Sequence, residues 1–212
     1  MFEGFDYARV LAMTDQERRW FSNIKKAIFE ADTAYMEGRP EDRCFEEMCK
    51  AVDTSKTLRR SILGVGQTKD GNKKIFTEFL DFELPTPEKG GMNLTLFDTR
   101  TQARVHYSFS QLIYAIRCMV HENENLNAEE QPDFHVLLDW RMHPNDRCGG
   151  VLGNGTVTLN ARGTWMRLRE VVTKFVWGLE AMMAIQQEQS FDMSRDLGTI
   201  HPDKPCNRAI TR

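Results

Sequence analysis

The chain has 212 residues, of which 41% are apolar, and its formal net charge is −3. A chain of this length and apolar content buries a sizeable core, which excludes a disordered protein and favours one domain. The negative charge argues against a protein that coats bulk nucleic acid, because such binding needs many lysines and arginines, but it leaves room for a local basic site.

Several classes of protein are not indicated by the sequence. No stretch approaches the roughly 18 uninterrupted apolar residues of a membrane span, and the first residues lack the basic and apolar regions of a secretory signal. The five cysteines have no familiar metal-binding spacing, so we expect free thiols. No dinucleotide-binding glycine fingerprint or phosphate loop is present. These observations predict a cytoplasmic protein without membrane segment, metal or cofactor.

The first part of the chain reads as two amphipathic helices. Apolar residues recur at spacings of three and four over 15–37, which predicts a helix that Thr14 or Asp15 caps. A second helix is predicted over 40–62, with a proline near its first turn.

β-forming residues follow these helices. The run 75–82 is rich in them, and a hairpin is predicted over 93–107. A second β-hairpin is predicted near 134–159, with a strand at 134–140 and a return strand after the turn 153–155. We expect both hairpins to be insertions into a helical domain.

A short helix predicted over 108–122 carries the candidate site. Its apolar stripe faces the core, whereas Ser110, Tyr114, Arg117 and His121 fall on one line about 100° round from that stripe. We therefore expect these four side chains at the edge of the core, where a cleft or an interface can form.

The last predicted helix covers 163–188 and has a long apolar stripe, and 189–212 is predicted to be a loose tail. The predicted fold class is mainly α (α+β), a bundle of about four long helices. It would form a single domain over 1–188, with β-hairpins inserted near 93–107 and 134–159.

Arg117 and His121 are the best candidates for chemistry, because residues four apart are neighbours on one helix face. An arginine holds a phosphate oxygen with a planar fork, and a histidine exchanges a proton near neutral pH. Together they can activate the 2′-hydroxyl of RNA and stabilise charge on the phosphate without a metal. The spacing by itself is more typical of a structural interaction at a helix C-terminus, where cations are favourable.

The segment 114–125, Tyr-Ala-Ile-Arg-Cys-Met-Val-His-Glu-Asn-Glu-Asn, and the order of the helices resemble the HEPN superfamily. That family is an α-helical bundle found in toxin, CRISPR-associated and antiphage ribonucleases. Its signature, an arginine followed a few residues later by a histidine, matches Arg117 and His121. Two positions depart from the family pattern: the intervening segment is shorter than usual, and Cys118 stands where a polar residue is common.

The resemblance implies a metal-independent endoribonuclease that acts in toxin or antiphage defence. Arg117 would hold the scissile phosphate and His121 would move the proton, with Tyr114 and Asn125 positioning the RNA. The resemblance also implies a homodimer that brings two motifs face to face, and a protein partner or antitoxin is a further expectation.

The alternative hypothesis is a catalytically inactive helical module for dimerisation or scaffolding that binds a protein partner. The short spacing, Cys118, the net charge and the acidic segment 122–133 favour it, since nearby carboxylates repel a phosphate. The two hypotheses predict different surroundings for Arg117. The enzyme needs a basic cleft, whereas the scaffold predicts an ion pair with Glu122 or another carboxylate.

Overall fold

The computed structural model describes residues 6–38, 42–65, 71–83, 93–121, 134–142 and 149–196, without the side chains of 42 and 185–196. This part of the chain has six helices and five strands. They are α1 (Tyr7–Leu11), α2 (Asp15–Met36), α3 (Asp42–Ile62), α4 (Asn72–Glu83), β1 (Asn93–Asp98), β2 (Ala103–Ser108), α5 (Phe109–Val120), β3 (His135–Asp139), β4 (Gly149–Gly153), β5 (Thr156–Asn160) and α6 (Ala161–Asp196). None of these helices combines the length and the apolarity that crossing a bilayer requires.

The start of α2 follows from a local sequence signal. Thr14 is the N-cap, and its Oγ1 atom accepts a hydrogen bond from the backbone N–H of Glu17. The Glu17 carboxylate in turn accepts from the backbone N–H of Thr14 at 2.7 Å, which completes a capping box. The observed bounds of α2, α3 and α5 lie close to the predicted ones.

The composition of residues 75–82 favours a strand, but in the structure these residues belong to the helix α4. The strand prediction is therefore wrong. The buried residues of α4 are Phe76, Phe79, Leu80 and Glu83, which have the spacing of one helix face. Packing of this face against α3, α5 and α6 outweighs the weak β propensity of its aromatic residues.

The two predicted insertions are parts of one five-stranded sheet, in the order β2-β1-β4-β5-β3. The β1–β2 hairpin is confirmed as antiparallel, and a second antiparallel hairpin joins β4 to β5 through Asn154 and Gly155, both at positive φ. β3 pairs in parallel with β5, and β1 pairs in parallel with β4. The protein therefore has a mixed α/β structure. It is not the predicted bundle of about four helices with two separate hairpin insertions.

One face of the sheet packs on the helices. Its inward residues Leu94, Leu96, Val157 and Leu159 are fully buried. Gly150 lies on the same face and sits so close to its neighbours that an added Cβ atom would be 2.5 Å from the Thr158 carbonyl oxygen. The centre of the sheet therefore admits no side chain at this position.

The long helix α6 runs antiparallel to α2 and is joined to it by ion pairs. Arg169 holds Asp32 with two hydrogen bonds of 2.6 and 2.7 Å, and Lys25 lies 2.7 Å from Glu180. α6 continues past the predicted end at 188 to Asp196, so the first part of the predicted tail is helical. Residues 197–212 lie outside the described residues.

Candidate functional site

The line of polar residues on α5 runs from the core to its edge. Ser110 and Tyr114 are 1% and 0% exposed, so the expectation that they lie at the edge is wrong. α5 packs against α3, α4, β2 and β3, and this enclosure buries more of its surface than one apolar stripe accounts for. Arg117 keeps 12% of its side chain exposed, and His121 is half-buried. The predicted RNA-positioning residue Asn125 lies outside the described residues.

Arg117 is held by a carboxylate on α3. Its Nε atom donates to Oδ2 of Asp53 at 2.7 Å. Burial opposes the guanidinium charge, but the hydrogen bond and the negative charge of Asp53 outweigh burial and raise the pKa of Arg117. The buried Nη1 atom has no hydrogen-bond partner in the described part of the chain. The scaffold hypothesis predicts an ion pair of Arg117 with Glu122 or another carboxylate, and Asp53 is such a carboxylate. Glu122 lies outside the described residues.

A second cation shares the same carboxylate. The Nζ atom of Lys56 lies 2.5 Å from Oδ1 of Asp53 and also donates to Oδ1 of Asn72. The ring of Phe76 lies beside both cations, 5.5 Å from Nζ of Lys56 and 5.6 Å from Cζ of Arg117. Burial lowers the pKa of Lys56, and the charge of Asp53 opposes that shift. One carboxylate is thus shared between two largely buried cations.

His121 is the C-cap of α5, and its backbone N–H donates to the carbonyl of Arg117 at 3.1 Å. Burial and the charge of Arg117 lower the pKa of its imidazole from 6.5, while Asp53 and Glu46 act in the opposite direction. The imidazole is therefore neutral at neutral pH, the form that can accept a proton.

Further ion pairs lie close to this cluster. On α3, Lys50 lies 2.7 Å from Glu46 and 2.9 Å from Glu47. The carboxylates of Glu46, Glu47 and Asp53 face the cations of Lys50, Lys56 and Arg117. Within the described residues, the ion pairs around Arg117 and His121 are thus balanced in charge, with Arg43 and Lys73 as further cations near them.

The two cysteines next to the cluster do not add reactive groups. Burial raises the pKa of both Cys49 and Cys118, so their thiols stay protonated and are poor nucleophiles and poor metal ligands. Within the described ranges, no three His, Cys, Asp or Glu side chains are grouped so that they could hold a metal ion.

Sequence reasoning missed the partners that α3 and α4 contribute, namely Asp53, Lys56 and Asn72. A signal for two of them exists in the sequence. Asp53 and Lys56 are charged residues three apart on α3, and each directly follows a residue that is fully buried, Val52 or Ser55. Charged residues at such positions are seldom buried unless they are paired.

Comparison of the chain with protein-family models, with curated proteins and with solved structures finds no match.

Proposed function

We propose that Arg117 and His121 form the active site of a metal-independent endoribonuclease of the HEPN type. One observation carries this proposal. A neutral imidazole lies one helical turn from a guanidinium that Asp53 holds by Nε and whose side chain keeps 12% of its surface exposed. A fixed cation and a neutral base are two groups that metal-free phosphodiester transfer can use.

In the proposed reaction, His121 accepts the proton of a ribose 2′-hydroxyl. The 2′-oxygen then attacks the adjacent phosphorus, and the guanidinium of Arg117 donates a hydrogen bond to a non-bridging oxygen as negative charge develops there. The bond from phosphorus to the 5′-oxygen breaks, and that oxygen takes a proton from solvent or from the protonated imidazole. The products are a 2′,3′-cyclic phosphate and a free 5′-hydroxyl, and the need for the 2′-oxygen selects RNA.

The resemblance to HEPN proteins adds a homodimer to this proposal. Two copies of α5 would bring two Arg117–His121 pairs to one composite site, and the second pair would add its cation to the first. Because the ion pairs described around one Arg117 are balanced in charge, the second copy would supply the excess of positive charge.

A second function is favoured by the Arg117–Asp53 ion pair. In this alternative the protein is an inactive dimerisation or scaffold module, and the pair fastens α5 to α3. Both side chains are mostly buried, and a buried ion pair holds its elements in one arrangement because separating the charges is costly. The charge balance of the ion pairs described around Arg117 also fits this role.

The experiment is cleavage of a mixed RNA pool in EDTA by the wild type, His121→Ala and Arg117→Lys. Arg117→Lys keeps a cation next to Asp53 but removes the planar fork. The matched control is Arg169→Lys, which makes the same change in the Arg169–Asp32 pair between α2 and α6. Circular dichroism checks that every variant is folded.

Products from the wild type and from Arg169→Lys, but not from His121→Ala, support the ribonuclease. Absence of cleavage, or equal cleavage by all four proteins, removes the catalytic role and leaves the scaffold. The pH profile adds a second readout, because cleavage should rise as His121 loses its proton, with a midpoint below pH 6.5. A midpoint above that value contradicts the role of His121 as the base.

A further inference from the structure

The sheet has an outer face, defined here as the side away from the buried residues of β1 and β5. A continuous row of side chains crosses it. Phe97 on β1 is paired with Arg104 on β2 and, on its other side, with Val151 on β4. Val151 is paired in turn with Thr158 on β5, and Thr158 is paired with Leu137 on β3. Directly paired residues project from the same face, so this row spans five strands and about 20 Å.

The outer face carries exposed apolar groups. Phe97 is 41% exposed and Leu137 is 58% exposed, whereas the alternating residues Leu96 and Val136 are buried on the opposite face. A solvated sheet face is ordinarily polar. An aromatic and an aliphatic side chain in one cross-strand row therefore indicate a contact surface.

The exposed titratable side chains of the outer face are mostly basic, although the net charge of the whole chain is negative. Arg104, His106 and His135 are exposed there. Among the described residues of the five strands, Asp139 is the one carboxylate on this face, and its Oδ1 accepts a hydrogen bond from the backbone N–H of Arg141 at 2.8 Å. Arg104 on β2 and Arg141 in the turn after β3 are the two guanidiniums that a polyanion would contact here.

A recess adjoins the row at its β3 end. It has a volume of about 450 Å³, and its lining includes one carboxylate and one guanidinium: Leu137, Leu138, Asp139, Trp140, Arg141 and Thr158. This volume falls in the range of small-molecule sites, so it accommodates a nucleoside. An aliphatic wall, a hydroxyl and a guanidinium suit its ring, sugar and phosphate.

We propose that the outer face of the sheet binds single-stranded RNA. Bases stack on the ring of Phe97 and on the imidazoles of His106 and His135, while Arg104 and Arg141 contact backbone phosphates. Sheets bind single strands in this way because aromatic rings accept any base and basic groups follow the backbone. The choice of RNA over DNA rests on the proposed function. The face itself is separate from the Arg117–His121 cluster, which lies among the helices.

The test is fluorescence anisotropy with a short labelled single-stranded RNA. It uses the His121→Ala protein as the parent, so that the RNA stays intact. Adding Phe97→Ala should weaken binding about tenfold through loss of one stacked base. The matched control, Phe29→Ala, changes a phenylalanine on α2 that is 71% exposed, and it should leave the affinity unchanged.

Salt dependence tests the phosphate contacts separately. Arg104→Gln should reduce the slope of log affinity against log salt by about 0.7, the value for one contact to a single strand. Arg19→Gln removes an exposed arginine of α2 and should not alter the slope.

Three results overturn the proposal: no binding by the parent, equal affinity of Phe97→Ala and Phe29→Ala, or equal binding of duplex RNA. Binding that depends on Phe97 without any wild-type cleavage overturns the ribonuclease but not this surface. Cleavage by a wild type whose RNA binding does not depend on Phe97 overturns this surface alone.

Discussion

Glu17 joins three helices, and its replacement gives a stability change whose size follows from the structure. Its carboxylate accepts hydrogen bonds from the backbone N–H of Thr14 at 2.7 Å, from Nη1 of Arg9 at 3.1 Å and from Oγ of Ser61 at 2.6 Å. Burial raises the pKa of this carboxyl, but these bonds outweigh burial and lower the pKa from 4.5 to about 2. The ionised form is therefore strongly favoured by the fold.

The shift converts into free energy by linkage. A native pKa of about 2 against 4.5 corresponds to about 3 kcal/mol of stability from the ionised carboxylate. Because the native pKa lies below the unfolded one, this stability is fully present above pH 4.5 and is lost as the pH falls towards 2. Glu17→Gln removes the titrating group, so it should remove this dependence on pH.

The assay is urea unfolding followed by tryptophan fluorescence, from neutral pH down to about pH 2.5. The variant should be less stable than the wild type by about 3 kcal/mol at neutral pH, and the difference should shrink below pH 4.5. Glu30→Gln, at a half-exposed position of the same helix, is the control. A difference between Glu17→Gln and the wild type that stays constant across the range would refute the linkage argument.

Three further predictions concern the ion pair, a second carboxyl and the sheet. Asp53→Leu should cost about 3 kcal/mol of unfolding free energy, because it leaves two largely buried cations without their shared carboxylate. Arg117→Met should cost less, because Asp53 keeps its ion pair with Lys56, and the double variant should cost less than the sum of the two. Additive losses in urea unfolding contradict this. Burial raises the pKa of Glu83 to about 7, so the free energy of unfolding should fall by about 3 kcal/mol as the pH rises from 4.5 to 7. If the unfolding free energy of Glu83→Gln falls as steeply over this range as that of the wild type, the prediction is wrong. Gly150→Ala should cost about 1–3 kcal/mol through overpacking, as measured by thermal unfolding. The cost should exceed that of Gly153→Ala, whose added Cβ meets a side-chain oxygen at 3.1 Å.

Local pattern predicted the helices better than the sheet. The bounds of α2 follow from a capping box and an apolar period, which are properties of neighbouring residues. The same apolar period is present in α4, but its aromatic residues also have strand propensity, and this propensity led to the wrong prediction for residues 75–82. The parallel pairs between β1 and β4 and between β3 and β5 depend on contacts far apart in sequence, so alternation within each strand does not determine them.

The candidate site likewise combines features set by neighbouring residues with features set by contacts far apart in the sequence. The neighbourhood of Arg117 and His121 follows from helix geometry, because both lie on α5 or at its end. Asp53, which sets the charge state and the orientation of Arg117, comes from α3 and is separated from it by 64 positions. Only the packing of α3 on α5 brings these residues together, so sequence spacing could not reveal the ion pair.

The β1–β2 hairpin also protects the middle of the sheet from pairing with other molecules. β4 contains three glycines and pairs with both β1 and β5. Without the β1–β2 hairpin it would be an edge strand of small residues, open to pairing between molecules. Loss of the β1–β2 hairpin would thus expose an edge that is prone to aggregation.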